Sequence, residues 1–126
     1  MDRRHTQARA SLRAELAAHG YSVAQDTDDS RGELYILGDG DRAAALFEFK
    51  ETADEACMTM YQGSWAESLP PRFAVLPASQ RDEPAVDMLA QAGLSALFYK
   101  VSDSEVAYLD LETAFRLIAE RNKPDA

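Results

Sequence analysis

Two glutamates and a lysine carry the chemistry that the sequence suggests most strongly, because they belong to runs that are typical of paired strands. Residues 33–37 (ELYIL) and residues 43–50 (AAALFEFK) are β-type runs, and the Gly-Asp-Gly-Asp segment between them is typical of a hairpin turn. Strand residues two apart share a face, so we expect Glu48 and Lys50 to project from the same side of the second strand.

The position of Glu33 relative to Glu48 depends on the hairpin loop. A two-residue loop at positions 40–41 places Glu33 directly opposite Glu48, whereas a loop at positions 39–40 makes the two glutamates diagonal neighbours on one face. Either register gathers the two glutamates and Lys50 on one patch, with the paired Cβ atoms roughly 5–8 Å apart. A three-residue loop without a bulge separates them across the sheet.

Facing carboxylates destabilise a strand pair unless another group compensates their charge. Mg²⁺ or Mn²⁺ compensates well, because hard cations prefer carboxylate oxygens and keep water ligands for chemistry. Such a metal polarises a phosphate and lowers the pKa of a bound water, while Lys50 is placed to stabilise the developing charge. The spacing therefore indicates phosphodiester hydrolysis. In the alternative interpretation, Glu48 and Lys50 are solvent-facing charges that deter edge pairing of an exposed hairpin.

The surrounding pattern predicts the elements that position these residues. A helix over 4–19 ends at Gly20, a strand covers 21–25, and the hairpin follows. A helix over 52–66 ends before the Leu-Pro-Pro segment, and the apolar run 73–76 is typical of a buried strand. A helix over 84–92 ends at Gly93. Strands over 96–101 and 106–109 and a helix capped by Asp110 complete the chain. The predicted fold is α/β, a mixed β-sheet flanked by helices in the order αβββαβαββα.

This succession resembles the PD-(D/E)xK nuclease superfamily, which includes the restriction endonucleases and the archaeal Holliday-junction resolvases of similar size. The resemblance spans residues 4–101. The matching segments are Gly20-Tyr21-Ser22-Val23 after the first helix, Gly32-Glu33-Leu34-Tyr35-Ile36 at the first acidic position, and the signature Phe47-Glu48-Phe49-Lys50.

The resemblance implies a restriction-endonuclease-like fold and a metal-dependent nuclease that hydrolyses phosphodiester bonds in DNA. It implies that Glu33 and Glu48 hold Mg²⁺ or Mn²⁺, that Lys50 completes the catalytic set, and that Gln62 supports the site from the following helix. The chain departs from the family pattern at the first acidic position, where Glu33 replaces the usual Asp.

The amino-acid composition limits the kinds of partner and site that this chain can have. The chain has 126 residues, with 22 Asp+Glu against 13 Lys+Arg, a net charge of −9 and a pI of about 4.6. A whole surface coated with basic charge for nucleic-acid binding is therefore excluded. Local basic residues are still present: Arg9 and Arg13 share a helix face, and Arg72 is predicted to lie on a loop. The lone Cys57 excludes an internal disulfide framework and a cysteine-based zinc cluster.

The chain contains no repeat or flexible linker, so we expect one domain over residues 1–126. It has no apolar run of the ~20 residues that a membrane span needs and a polar N-terminus, so we predict a cytoplasmic protein without a membrane partner. The acidic composition, rich in arginine and alanine, is consistent with a protein from either a GC-rich or a salt-adapted prokaryote.

Two further hypotheses remain beside the nuclease. The first is a catalytically inactive module of the same fold that binds a protein or nucleic-acid partner, and the second is a subunit whose basic partner completes a composite site. A homodimer is also consistent with DNA cleavage, because symmetric nucleases are frequently dimers.

Overall fold

The computed structural model describes residues 3–23, 33–37, 43–60, 71–103 and 105–121. Its four helices are α1 (Arg3–Ala18), α2 (Ala53–Met60), α3 (Pro84–Gln91) and α4 (Leu111–Arg121). Its six strands are β1 (Ser22–Val23), β2 (Glu33–Leu37), β3 (Ala43–Phe49), β4 (Arg72–Pro77), β5 (Ser95–Ser102) and β6 (Glu105–Leu109). A 3-10 turn, Ala78–Gln80, follows β4. None of the described helices is long and apolar enough to cross a lipid bilayer.

The six strands form one mixed sheet in the order β1-β2-β3-β4-β5-β6. The strands β1, β2 and β3 pair antiparallel, β4 is parallel to both β3 and β5, and β6 is antiparallel to β5. Parallel neighbours need crossover connections, and helices α2 and α3 lie in the two connections that join β3 to β4 and β4 to β5. The predicted α/β class, with a mixed sheet flanked by helices, is confirmed.

Helices cover both faces of the sheet, because the strands alternate apolar side chains between two cores. Helices α1 and α4 pack on one face, and α2 and α3 pack on the other. In the first core, Phe47 of β3 stacks on Phe73 of β4 with ring centroids 4.8 Å apart. In the second core, Ala74 and Leu76 of β4 contact the buried residues of α2 and α3. Odd and even positions of β4 therefore face different helix pairs.

Two glycines end helices by the same mechanism. Gly20 follows α1 with φ +96° and Gly93 follows α3 with φ +83°, a backbone region that is costly for other residues. The amide of Tyr21 donates to the Leu16 carbonyl and that of Leu94 donates to the Leu89 carbonyl, which closes a Schellman motif at each end. Both glycines are the helix stops that the sequence predicts.

Candidate functional site

The pairing of β2 with β3 places Glu33 directly opposite Glu48. The ladder is regular from this pair to Ile36 and Ala45, and then shifts by one residue so that Leu37 pairs with Ala43. The predicted hairpin turn at residues 38–41 lies outside the described residues. At the glutamates, the register is the first of the two that the sequence allows. Residues directly opposite in an antiparallel pair share a face, so this backbone register assigns both glutamates to one face of the sheet.

Glu48 is the only buried charged residue in the described part of the chain, with 6% of its surface exposed. It pairs with Ala74 of β4, whose side chain belongs to the core beneath α2 and α3. The carboxylate therefore lies on the face that these two helices cover. Burying a charged group costs free energy unless a partner compensates it.

Arg72 supplies that compensation from the neighbouring strand. Its Nη2 donates to Glu48 Oε2 at 2.6 Å, and its Nε donates to the same oxygen at 3.2 Å. A third hydrogen bond runs from Arg72 Nη1 to the carbonyl of Met60, the last residue of α2, at 3.0 Å. The side chains of Arg72 and Glu48 are 15% and 8% exposed. Arg72 thus joins β3, β4 and α2 around one buried carboxylate.

The prediction that Arg72 lies on a loop is wrong, because β4 begins directly after the prolines that end the preceding segment. The amide of Leu46 donates to the Pro71 carbonyl at 2.9 Å, and Leu46 pairs with Arg72 in the parallel ladder. Proline can accept such a bond although it cannot donate one. Since Arg72 is two residues before Ala74, it shares the face that Glu48 occupies. The continuous apolar run 73–76 contains no alternation that would have revealed this placement.

Lys50 follows β3 and continues its pairing. Its amide donates to the Val75 carbonyl at 3.0 Å, which keeps the chain in strand geometry one residue beyond Phe49, and its side chain is half-buried. Lys50 is two residues after Glu48 and has the same strand parity. The structure therefore assigns Glu33, Glu48, Lys50 and Arg72 to one face. Because this face carries two acidic and two basic residues, its formal charges cancel. Arg72 thus supplies positive charge that we expected a metal cation to provide.

Helix α2 is fixed over this site at its first turn. Thr52 Oγ1 accepts the Glu55 amide at 3.0 Å and caps the helix, while Gln80 Oε1 accepts the Ala53 amide at 3.0 Å. The buried face of α2 contains two alanines, Ala53 and Ala56, whose small side chains let the helix approach the sheet closely. Cys57 Sγ donates to the Ala85 carbonyl at 3.3 Å and joins α2 to α3.

The described residues of this site could bind a hard cation only with a small number of protein ligands. Among the described residues, no three His, Cys, Asp or Glu side chains form a group that could hold a metal. The carboxylate of Glu48 nevertheless has one oxygen, Oε1, that Arg72 does not bind. Mg²⁺ is commonly held by one or two carboxylates with water completing its shell. The supporting residue suggested by the family pattern, Gln62, lies outside the described residues.

Comparison with known proteins gives no relative from which a role could be transferred. No family model, curated protein or solved structure matches this chain. Its function must therefore be inferred from the residues on the Glu48 face of the sheet and from the elements that hold them.

Proposed function

We propose that this chain is a PD-(D/E)xK-type domain with a restriction-endonuclease-like fold, which hydrolyses phosphodiester bonds in DNA with Mg²⁺ or Mn²⁺. The observation that carries the proposal is the register that places Glu33 opposite Glu48, with Lys50 two residues further along the same strand. Support also comes from the arrangement of the elements, in which a helix and three antiparallel strands precede a helix and a parallel strand.

In this proposal Glu33 and Glu48 would hold the metal from two adjacent strands, and Arg72 holds Glu48 in one orientation through Oε2. The metal would supply Lewis acidity and lower the pKa of a water. Lys50 would orient the attacking water and stabilise negative charge on the phosphoryl oxygens. Because Arg72 also binds the Met60 carbonyl, it keeps the end of α2 next to the ligand carboxylate.

The burial of Glu48 favours a second candidate function. With only 6% of its surface exposed and its charge compensated by Arg72, Glu48 can stabilise the fold without a metal. A domain of this kind binds a protein or nucleic-acid partner and has no hydrolytic activity. The two candidates differ in what they require of Glu48: a metal ligand in the first, and only a partner for Arg72 in the second.

DNA cleavage separates the two candidates. Supercoiled, linear, single-stranded and branched DNA are incubated with Mg²⁺ or Mn²⁺, at low and at molar salt, with the wild type and with Glu48→Gln and Lys50→Ala. The matched controls, Glu51→Gln and Lys100→Ala, change exposed residues of the same types. We expect the site variants to lose cleavage by at least about a hundredfold while the controls retain it.

The same assay identifies the second candidate. Circular dichroism shows whether each variant is folded, so that a loss of activity is not confused with a loss of structure. Absence of cleavage by the folded wild type on every substrate, together with a melting temperature that divalent cations do not change, contradicts the nuclease and supports the binding module. Cleavage that Glu48→Gln leaves unchanged places the activity elsewhere.

A further inference from the structure

Helices α2 and α3, together with the segment between α3 and β5, form an open groove. Its volume is about 600 Å³, and Cys57, Leu89 and Leu94 line it together with Met58 and Met88. Leu89 and Leu94 are buried residues of the core beneath the two helices. The floor of this α2–α3 groove is therefore an outward extension of the apolar core.

Two methionines stand at the edges of the α2–α3 groove. Met58 is 82% exposed and Met88 is 59% exposed, and they are the exposed large hydrophobic residues of the described chain. Exposed apolar side chains that gather at a groove, and are not scattered singly, mark binding surfaces. Methionine is suited to such a surface, because its unbranched side chain adapts to different apolar partners.

The charged residues on the two helices that form the groove are all acidic. Helices α2 and α3 carry three acidic residues, Asp54, Glu55 and Asp87, and neither helix contains a lysine or an arginine. Asp54 lies one helical turn before Met58, and Asp87 is next to Met88 in sequence. Burial raises the pKa of the Cys57 thiol, and the nearby Asp54 carboxylate raises it further. The groove thus combines an apolar floor with three acidic residues on the two helices that form it, Asp54, Glu55 and Asp87, which we call its acidic rim.

We propose that the α2–α3 groove binds a basic amphipathic helix of a partner protein. Such a helix places apolar side chains spaced i, i+3, i+4 and i+7 against the floor, and lysine or arginine side chains against the acidic rim. Helices α2 and α3 have eight residues each, which corresponds to about 12 Å of helix, so a helix bound between them makes contact over at most roughly two turns. This interaction is independent of the proposed nuclease site, because Glu48 lies on the inner side of α2.

The described helices of this chain do not supply the occupant. Helix α1 is rich in arginine, but its apolar residues Leu12 and Leu16 are fully buried against the sheet. The apolar face of α4 is likewise buried through Ala114 and Ile118. Since none of the described helices combines basic residues with a free apolar face, the proposed occupant is a helix of a partner protein.

The test uses the full chain with ¹³C-labelled methionine methyl groups. The probe is an amidated helical peptide of leucine and lysine with leucine at i, i+3, i+4 and i+7, and the comparison peptide has glutamate in place of lysine. We expect the lysine peptide to shift the signals of Met58 and Met88. The signal of Met60, which is fully buried in the core, serves as an internal reference that stays unchanged.

Two pairs of substitutions test the charge complementarity. Asp54→Asn with Asp87→Asn removes two rim charges and should weaken binding of the lysine peptide roughly threefold to tenfold. The matched pair Glu105→Gln with Glu112→Gln removes two exposed charges on β6 and α4 and should leave the affinity unchanged. The double variant Met58→Gln with Met88→Gln should reduce binding by a larger factor than the rim pair.

Three results overturn the proposal. The first is the absence of any shift of Met58 and Met88 at millimolar lysine peptide, and the second is equal binding of the glutamate peptide. The third is a set of shifts that depends on protein concentration without any peptide, since the occupant is then a second copy of this chain. None of these results bears on DNA cleavage, so the two proposals fail separately.

Discussion

Arg72 and Glu48 form a buried ion pair across two parallel strands, with Nη2 and Oε2 2.6 Å apart. The pair lies at the start of β4 and near the end of β3, and a third hydrogen bond connects it to the last residue of α2. The same carboxylate is a ligand in the proposed metal site. Its energetic role and its chemical role can therefore be measured separately through substitutions at Arg72.

Removing the arginine should destabilise the protein strongly. Arg72→Ala leaves the Glu48 carboxylate buried without its partner, which typically costs about 3–5 kcal/mol in the free energy of unfolding. Millimolar Mg²⁺ should restore part of this loss, because a cation bound at Glu48 replaces the missing positive charge. Urea unfolding with and without Mg²⁺ measures both effects. The control Arg81→Ala removes an exposed arginine, and an equal loss in that variant contradicts the assigned role of Arg72.

The stability of the first turn of α2 should depend on its N-cap residue, Thr52. Thr52→Ala removes the acceptor of the Glu55 amide and should reduce the free energy of unfolding by about 1 kcal/mol. Thr59→Ala is the matched control in the same helix, because the Thr59 hydroxyl donates to a carbonyl that is already inside the helix. Thermal and urea unfolding compare the two variants. Equal destabilisation by both substitutions is the outcome that contradicts the cap.

Ionisation of Tyr108 should lower the free energy of unfolding at alkaline pH. Its hydroxyl donates to the Ala8 carbonyl and connects β6 to α1. Burial raises the pKa of Tyr108 above its ordinary value, and the nearby Tyr99 raises it further. The unfolded chain therefore loses this proton first. The contribution of Tyr108 to stability is complete below about pH 10 and is lost as the pH rises from there toward the folded-state pKa.

Comparison of Tyr108→Phe with the wild type isolates this effect. We expect the variant to be less stable by about 1 kcal/mol at neutral pH, because the hydrogen bond is lost. Above about pH 10 the wild type should lose up to about 1.4 kcal/mol per pH unit more than the variant. Tyr21→Phe, which removes a hydroxyl from another half-buried tyrosine, controls for the general effect of tyrosine ionisation. Parallel pH profiles for wild type and Tyr108→Phe contradict the prediction.

The stacked phenylalanines on the opposite face should couple β3 to β4 without affecting the Glu48 face. A double-mutant cycle with Phe47→Leu and Phe73→Leu should give an interaction energy of about 0.5–1.5 kcal/mol, since the two rings are in contact. Phe47→Leu combined with Phe98→Leu, whose ring packs with the other core, should be additive. Equal coupling in the two cycles contradicts the separation of the cores.

The arrangement of the elements follows from local signals in the sequence. The two helix stops at Gly20 and Gly93 need a positive φ, which few other residues tolerate, so these helix ends are readable without any tertiary information. The hairpin register at the glutamates is likewise one of two alternatives that a short turn allows. The irregularity of that ladder between Ile36 and Leu37 was not predicted, because it depends on how the strands pack and not on a residue type.

The partner of Glu48 depends on tertiary pairing and could not be predicted from local signals. Residues 48 and 72 are brought together only when β4 aligns in parallel beside β3, and the register of a parallel pair has no turn to define it. The prolines before Arg72 suggested a loop, whereas Pro71 accepts the first hydrogen bond of the parallel ladder. Two facing acids and one lysine are therefore recognisable from the sequence, whereas the arginine that binds Glu48 is not.

The most direct test of the proposed metal site is to locate where a paramagnetic divalent cation binds. Titration of ¹⁵N-labelled protein with Mn²⁺ broadens amide signals close to the bound ion. For a metal bound by Glu33 and Glu48, we expect selective broadening of the amide signals of Glu33, Glu48 and Lys50. Glu48→Gln should abolish this broadening, and Glu51→Gln should leave it unchanged. Broadening confined to the acidic rim at Asp54 and Glu55, or identical broadening in the wild type and Glu48→Gln, contradicts a metal centre on the Glu33–Glu48 pair.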